Sequence, residues 1–130
     1  MPFEWSGFLT LAEDLSKRND EAALRTAASR VYYYVYHLGR QRIEENRFPL
    51  TKGDAHKQVW EKFAADPDPR CRKLKELAMK LKDKRERADY EESYPKIEKE
   101  FPALLDMAKK FAVDLNALEK RLPSNRGMRF

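Results

Sequence analysis

One cysteine, two histidines and four glycines are all that 130 residues supply of those three types. The lone Cys71 excludes an internal disulfide and fits a reducing cytoplasm, where the chain is expected to reside. No apolar run approaches the ~18 residues of a membrane-crossing helix, so no membrane partner is expected. The start, Met1-Pro-Phe-Glu-Trp5, lacks the basic and apolar regions of a secretory leader. There is no Gly-rich phosphate loop, dinucleotide fingerprint or Gly-x-Ser-x-Gly elbow, which disfavours the common enzyme classes built on them. Two histidines and a cysteine at unrelated spacings do not make a zinc site, and no carboxylate pair stands out; neither metal nor cofactor is expected.

What the chain does carry is charge and helical periodicity. Charged residues make up 38% of it, with a net charge of +5. That balance suits solvated helix faces and favours polyanionic partners without identifying one. Trp5, Phe8, Leu9, Ala12 and Leu15 recur in steps of three and four, which predicts a helix over residues 3–17 with both aromatics in the core. Asn19 or Asp20 can cap a long second helix ending near Glu45, before Asn46-Arg-Phe-Pro49. Asp54 can cap a short third helix over 55–65 with Val59, Trp60 and Phe63 inward. Asp68-Pro69 starts a fourth, reaching about Glu91, with a Cys71, Leu74, Leu77, Ala78 and Leu81 stripe amid many lysines and arginines. After Glu92-Ser-Tyr-Pro95 comes a fifth helix, in which Pro102 either begins the main segment or kinks it. The expected fold is all-α, an up-and-down helical bundle of four long helices plus one short helix over residues 1–122, with a flexible C-terminal tail over 123–130.

The second helix has two faces. Leu24, Ala28, Val31, Val35 and Leu38 form its core stripe. Roughly 120° away, Arg30, Tyr34, His37 and Gln41 fall on one line, with Arg30 and His37 about 10 Å apart along the axis. The histidine can exchange a proton near neutral pH and the arginine can hold a phosphate with two hydrogen bonds. Arg30 and His37 are thus the catalytic candidates. Tyr33, Tyr34, Arg40 and Gln41 are the substrate-binding candidates, with a tyrosine able to stack a base. One helix keeps the pair two turns apart unless their long side chains converge; a two-fold pairing of the helix with its copy would also bring them together. Against this stands a structural reading, in which Arg30 pairs with Asp89 or a helix end and His37 is satisfied in an interface.

Ala28-Ser-Arg-Val-Tyr-Tyr-Tyr-Val-Tyr-His37, Lys52-Gly-Asp-Ala-His56 and Arg85-Glu-Arg-Ala-Asp-Tyr90 occur in that order on the second, third and fourth helices. This set is similar to that of the small prokaryotic HEPN-domain proteins. The resemblance covers nearly the whole chain and implies a helical bundle, often a homodimer, in toxin–antitoxin, phage-defence or CRISPR-linked systems. Catalytic members cut RNA without metal, using an arginine and a histidine separated by four to six residues in a composite site at the dimer interface; Arg30 and His37 match the long form. His56, Arg85, Asp89 and Tyr90 would then border the site or serve the architecture. Two positions depart from the pattern: Val31 stands where catalytic members often carry a polar residue, and Gly39 where some toxins carry a tyrosine modified by a partner nucleotidyltransferase. The resemblance also implies alternatives to a ribonuclease: a non-catalytic nucleotide- or nucleic-acid-binding module, or an interaction subunit paired with a nucleotidyltransferase or another defence protein.

Overall fold

The computed structural model describes residues 2–125, and these form five helices and no strand. They are α1 (Ser6–Ser16), α2 (Glu21–Glu45), α3 (Ala55–Ala65), α4 (Pro69–Tyr90) and α5 (Ile97–Ala117). The expected division into four long helices and one short one is corrected: α1 and α3 have 11 residues each, against 25, 22 and 21 for the others. Residues 3–5 lie ahead of the first helical turn, where the Glu4 carbonyl accepts from Gly7 N and that of Trp5 from Phe8 N. Among the described residues no helix is long and apolar enough to cross a membrane.

Aspartates set three of the starts. Asp20, Asp54 and Asp68 each accept a hydrogen bond from a first-turn amide, at Ala23, Lys57 and Arg70. Asn19, the other candidate for the first of these caps, takes the left-handed conformation instead (φ 59°), which asparagine tolerates better than most residues. At the far end of α2, Arg47 is also left-handed (φ 65°), and Phe48 N donates to Ile43 O across it. This back-folded closure, rather than Pro49 alone, stops the helix. Pro102 lies inside α5, exposed, and does not begin it.

α2 is the central element, packing on each of the other four helices. Leu24, Ala28, Val31 and Val35 of its apolar stripe are buried, against Val59 and Phe63 of α3, Leu74, Ala78 and Leu81 of α4, and Phe101, Leu104, Ala108 and Phe111 of α5. Gly39 lets α3 come close. A Cβ there would stand 2.8 and 2.9 Å from two ring atoms of Trp60, which is 2% exposed. Gly39→Ala is therefore expected to lower the urea midpoint, because overpacking costs about 1–3 kcal/mol and exceeds the ~1 kcal/mol gain in helix propensity. An unchanged or raised midpoint would show that the indole can move aside.

The tail expected from residue 123 is docked over its first three residues. Asn46 donates to the Pro123 carbonyl at 2.9 Å, Ser124 N donates to Asp66 at 2.7 Å, and Asn125 donates to the carbonyls of Asn46 and Arg47. The rest of that segment lies outside the described residues.

Candidate functional site

Tyr33 on α2 is the hub. The Arg30 guanidinium lies over its ring at 4.9 Å and that of Arg85 at 5.5 Å. The His56 and His37 rings stand at 5.7 and 6.5 Å from it. Three helices supply these four groups: Arg30 and His37 come from α2, His56 from the first turn of α3, and Arg85 from the last two turns of α4. Within a single chain, Arg30 and His37 thus converge on the same ring. They also share Phe8, at 4.7 and 6.0 Å.

That shared contact reveals what covers the site. Trp5 stacks flat on His37, with centroids 3.5 Å apart and planes within 2°. Trp5, Phe8 and Phe3 pack on one another at 5.2–5.4 Å, so the start of α1 forms an aromatic cap over the Arg30–His37 line. The expectation that Trp5 and Phe8 simply fill the core is corrected: both are half-buried and abut the two catalytic candidates. Their helical spacing showed that they face inward, but not which face of α2 they meet.

A second histidine is held more firmly than the first. The His56 ring stacks on Tyr36 (3.8 Å, 10°), and its Nδ1 is 2.7 Å from the Tyr32 hydroxyl, which also accepts from Trp60 Nε1 at 3.2 Å. Tyr36 continues to His37, 5.1 Å away, and accepts from Arg40 Nη1 at 3.2 Å, while Arg40 Nε pairs with Glu44. Arg85, with its side chain 12% exposed, donates to Asp89 at 3.4 Å, and the same carboxylate oxygen accepts from Ser29 at 3.4 Å. Its Nε is buried without a partner among the described residues. Asp89 thus engages Arg85 rather than Arg30, whose guanidinium rests on aromatic faces.

The remaining candidates separate from this cluster. Tyr34 is 8% exposed and turns toward α5; with Leu38, Gln41, Arg42, Glu45 and Leu115 it lines a cavity of about 230 Å³. Tyr34 and Gln41 therefore sit on the flank of α2 away from His56. Tyr90, 77% exposed, makes no ring contact or hydrogen bond among the described residues. Much of the basic surface of α4 is neutralised locally: Lys82 pairs with Glu86, Lys84 with Glu100 and Arg87 with Glu91. Arg72, Lys73, Lys75 and Lys80 have no ion-pair partner among the described residues. No group of three or more His, Cys, Asp or Glu among those residues is arranged to hold a metal ion.

Both imidazoles are held below the usual histidine range. Burial is the main cause for His37, with Arg40, His56 and Arg30 adding to it and Glu44 opposing. Burial also leads for His56; Asp54 opposes, and Arg85, Lys82 and Arg40 add. Both rings are consequently neutral at pH 7. The unfolded chain binds more protons than the folded one as pH falls through the unfolded histidine value of ~6.5. The stability contributed is full above that pH and is lost as pH drops through the folded values. The urea midpoint is expected to fall between pH 7.5 and 5.5, and to fall less in His56→Gln. A midpoint flat across that interval would show that neither ring is effectively desolvated. Comparison of the chain with protein-family models, with curated proteins and with solved structures finds no match.

Proposed function

We propose that this chain is a HEPN-type, up-and-down helical bundle that engages RNA and cuts it without a metal, working as a homodimer in the cytoplasm within a toxin–antitoxin or phage-defence system. One observation carries the reading: two guanidiniums and two neutral imidazoles gather around the Tyr33 ring. Cations and aromatic faces together suit a phosphodiester flanked by bases.

In this reading His37 takes the proton of a ribose 2′-hydroxyl. The 2′-oxygen attacks the adjacent phosphorus, and the bond from phosphorus to the 5′-oxygen breaks. The departing oxygen regains a proton from the imidazolium, leaving a 2′,3′-cyclic phosphate. Arg30 carries the charge that builds on the phosphorane oxygens. A base near neutral pH must be unprotonated to start, and the environment of His37 favours that form. The test is incubation of single-stranded RNA with the purified protein in EDTA: cleavage to cyclic phosphate ends supports the reading, and intact RNA at all protein concentrations refutes the enzymatic part. Solution mass tests the homodimer, and a strict monomer refutes it.

A second reading is favoured by the stacking of Trp5 on one whole face of His37. A ring so covered can serve as part of a binding surface without turning over substrate. That module binds RNA or a nucleotide with salt-dependent affinity and no cleavage, alone or beside a nucleotidyltransferase or defence-system partner.

A further inference from the structure

His56 lies outside the Arg30–His37 pair, yet its hydrogen bonding is more completely determined than that of any other group in the cluster. We propose that His56 serves the site as a fixed, uncharged hydrogen-bond donor, presenting Nε2–H to a phosphate oxygen of the RNA beside the Arg85 guanidinium, and takes no part in proton transfer. This rests on the reading of the cluster as an RNA site and assigns a role within it.

The assignment follows from counting hydrogens. The Trp60 indole N–H only donates, so its contact of 3.2 Å with the Tyr32 oxygen makes that oxygen an acceptor. Tyr32 is fully buried, so no bulk water can receive its single hydroxyl hydrogen. Among the described residues, the one other polar atom bonded to that oxygen is His56 Nδ1, at 2.7 Å. Tyr32 therefore donates to Nδ1, the Nδ1 lone pair is occupied, and the hydrogen of the neutral ring is on Nε2. A ring so fixed would have to reverse this chain in order to accept a proton. Nδ1 would become a donor, and the Tyr32 hydroxyl hydrogen would turn into the core against an indole that itself only donates. The neighbouring cations act the same way: Arg85 and Lys82 on α4 and Arg40 on α2 disfavour a charged ring, with Asp54 alone opposing. Tyr36, stacked at 3.8 Å, fixes the plane in which Nε2 points. Nε2 has no hydrogen-bond partner among the described residues.

Arg85 supplies the neighbouring charge. Its guanidinium and the His56 ring contact the same two rings, Arg85 at 5.5 Å from both Tyr32 and Tyr33, His56 at 5.6 and 5.7 Å. One long hydrogen bond, from Nη1 to Asp89, is all the guanidinium makes among the described residues, which leaves this cation with hydrogen-bonding capacity to spare. An oxyanion accepting from His56 and Arg85 together would use it. His37 and His56 then divide the work: one exchanges protons, while the other only holds.

The experiment has two parts. Long-range proton–nitrogen NMR correlations of the imidazoles, recorded on the free protein at pH 7.5, should show His56 as the Nε2–H tautomer, and Tyr32→Phe should lose that bias. A predominant Nδ1–H tautomer in the unaltered protein overturns the proposal, and this result stands whatever Tyr32→Phe does to folding. The second part measures binding of a fluorescein-labelled, 2′-O-methylated single-stranded RNA, which cannot be cut. His56→Ala should weaken binding about tenfold, by the same factor from pH 6 to 8. His56→Gln, whose amide nitrogen reaches the Nε2 position, should recover most of the loss. A loss that varies with pH, or no loss in His56→Ala while Arg30→Ala binds poorly, overturns the role of His56 and leaves the RNA site intact. Equal binding by unaltered protein, His56→Ala and Arg30→Ala removes the RNA site and this proposal together.

Discussion

His37→Ala should lower the rate of RNA cleavage by about 10²–10⁴-fold, the range over which a positioned general base contributes. Arg30→Ala should lower it by about 10²–10³-fold, the scale for removing one group that stabilises an oxyanion transition state. The two losses differ in character. Without the imidazole, the residual rate should rise with pH as hydroxide replaces the missing base. Without the guanidinium the whole curve drops, and its His37 limb moves up in pH because Arg30 no longer disfavours the charged ring. Alanine at 37 also strips the partner from Trp5, which stacks on the imidazole at 3.5 Å, so a loss of rate could report a loosened cap. His37→Gln separates the two effects, because its planar amide still packs on the indole but cannot accept a proton at neutral pH. It should be as inactive as His37→Ala and closer to the unaltered protein in stability. Initial rates on a labelled RNA in EDTA, with cyclic phosphate ends identified in the products, make the measurement. Cleavage that survives both Arg30→Ala and His37→Gln would falsify the mechanism.

Arg42→Met should cost stability on the order of 3 kcal/mol, the largest effect expected of a single exchange away from the site. Arg42 is 8% exposed and lies on α2 beneath the end of α5. Its Nη2 donates to Leu115 O at 2.8 Å, and Nη1 donates to Leu122 O at 2.9 Å and Glu119 O at 3.3 Å. These carbonyls belong to the last turn of α5 and the segment after it, where helical partners run out and the helix dipole is negative. A methionine of similar length refills the space but leaves Leu122 O without a donor among the described residues, at about 1–3 kcal/mol for an acceptor cut off from water, while Leu115 O and Glu119 O keep their backbone bonds from Leu118 N and Leu122 N. Against a total stability of roughly 5–15 kcal/mol for a domain, that is a large share. Arg42→Lys keeps the charge, yet one ammonium cannot span acceptors that diverge from a planar fork, so it should recover less than half of the loss. Urea denaturation of the three proteins measures this. A midpoint for Arg42→Met within error of the unaltered protein would mean that water replaces the guanidinium.

Aspartate and proline punctuation made the helix starts legible: Asp20, Asp54 and Asp68-Pro69 cap α2, α3 and α4, and the bounds of α3 match the sequence reading. Such signals are local and survive any tertiary arrangement. Of the two readings of Pro102 the start is excluded: an exposed proline about one and a half turns into the helix gives up one backbone bond, which the packing of Phe101, Leu104 and Ala108 offsets. For the site, period alone put Arg30 and His37 on one line. It placed Tyr34 on that line as well, yet the ring that Arg30 and His37 both meet is that of Tyr33. The choice is made by neighbours: α5 claims the Tyr34 flank, while α3 and α4 bring His56 and Arg85 to the Tyr33 flank. The Trp60–Tyr32–His56 chain was out of reach for the same reason, since its members come from two helices and meet only after packing.

The aromatic cap at the start of α1 changes how the chain divides into scaffold and instrument. Residues 3–8 place no fully buried side chain in the central core; Trp5 and Phe8 pack against its edge, and α1 adds Ala12 to it. Phe3, Trp5 and Phe8 spend their surface on one another and on Arg30 and His37. They act as the ceiling of a room whose walls stand without them. Substitutions in this opening stretch belong with the specificity of the site, although a map of secondary structure would file them under the fold.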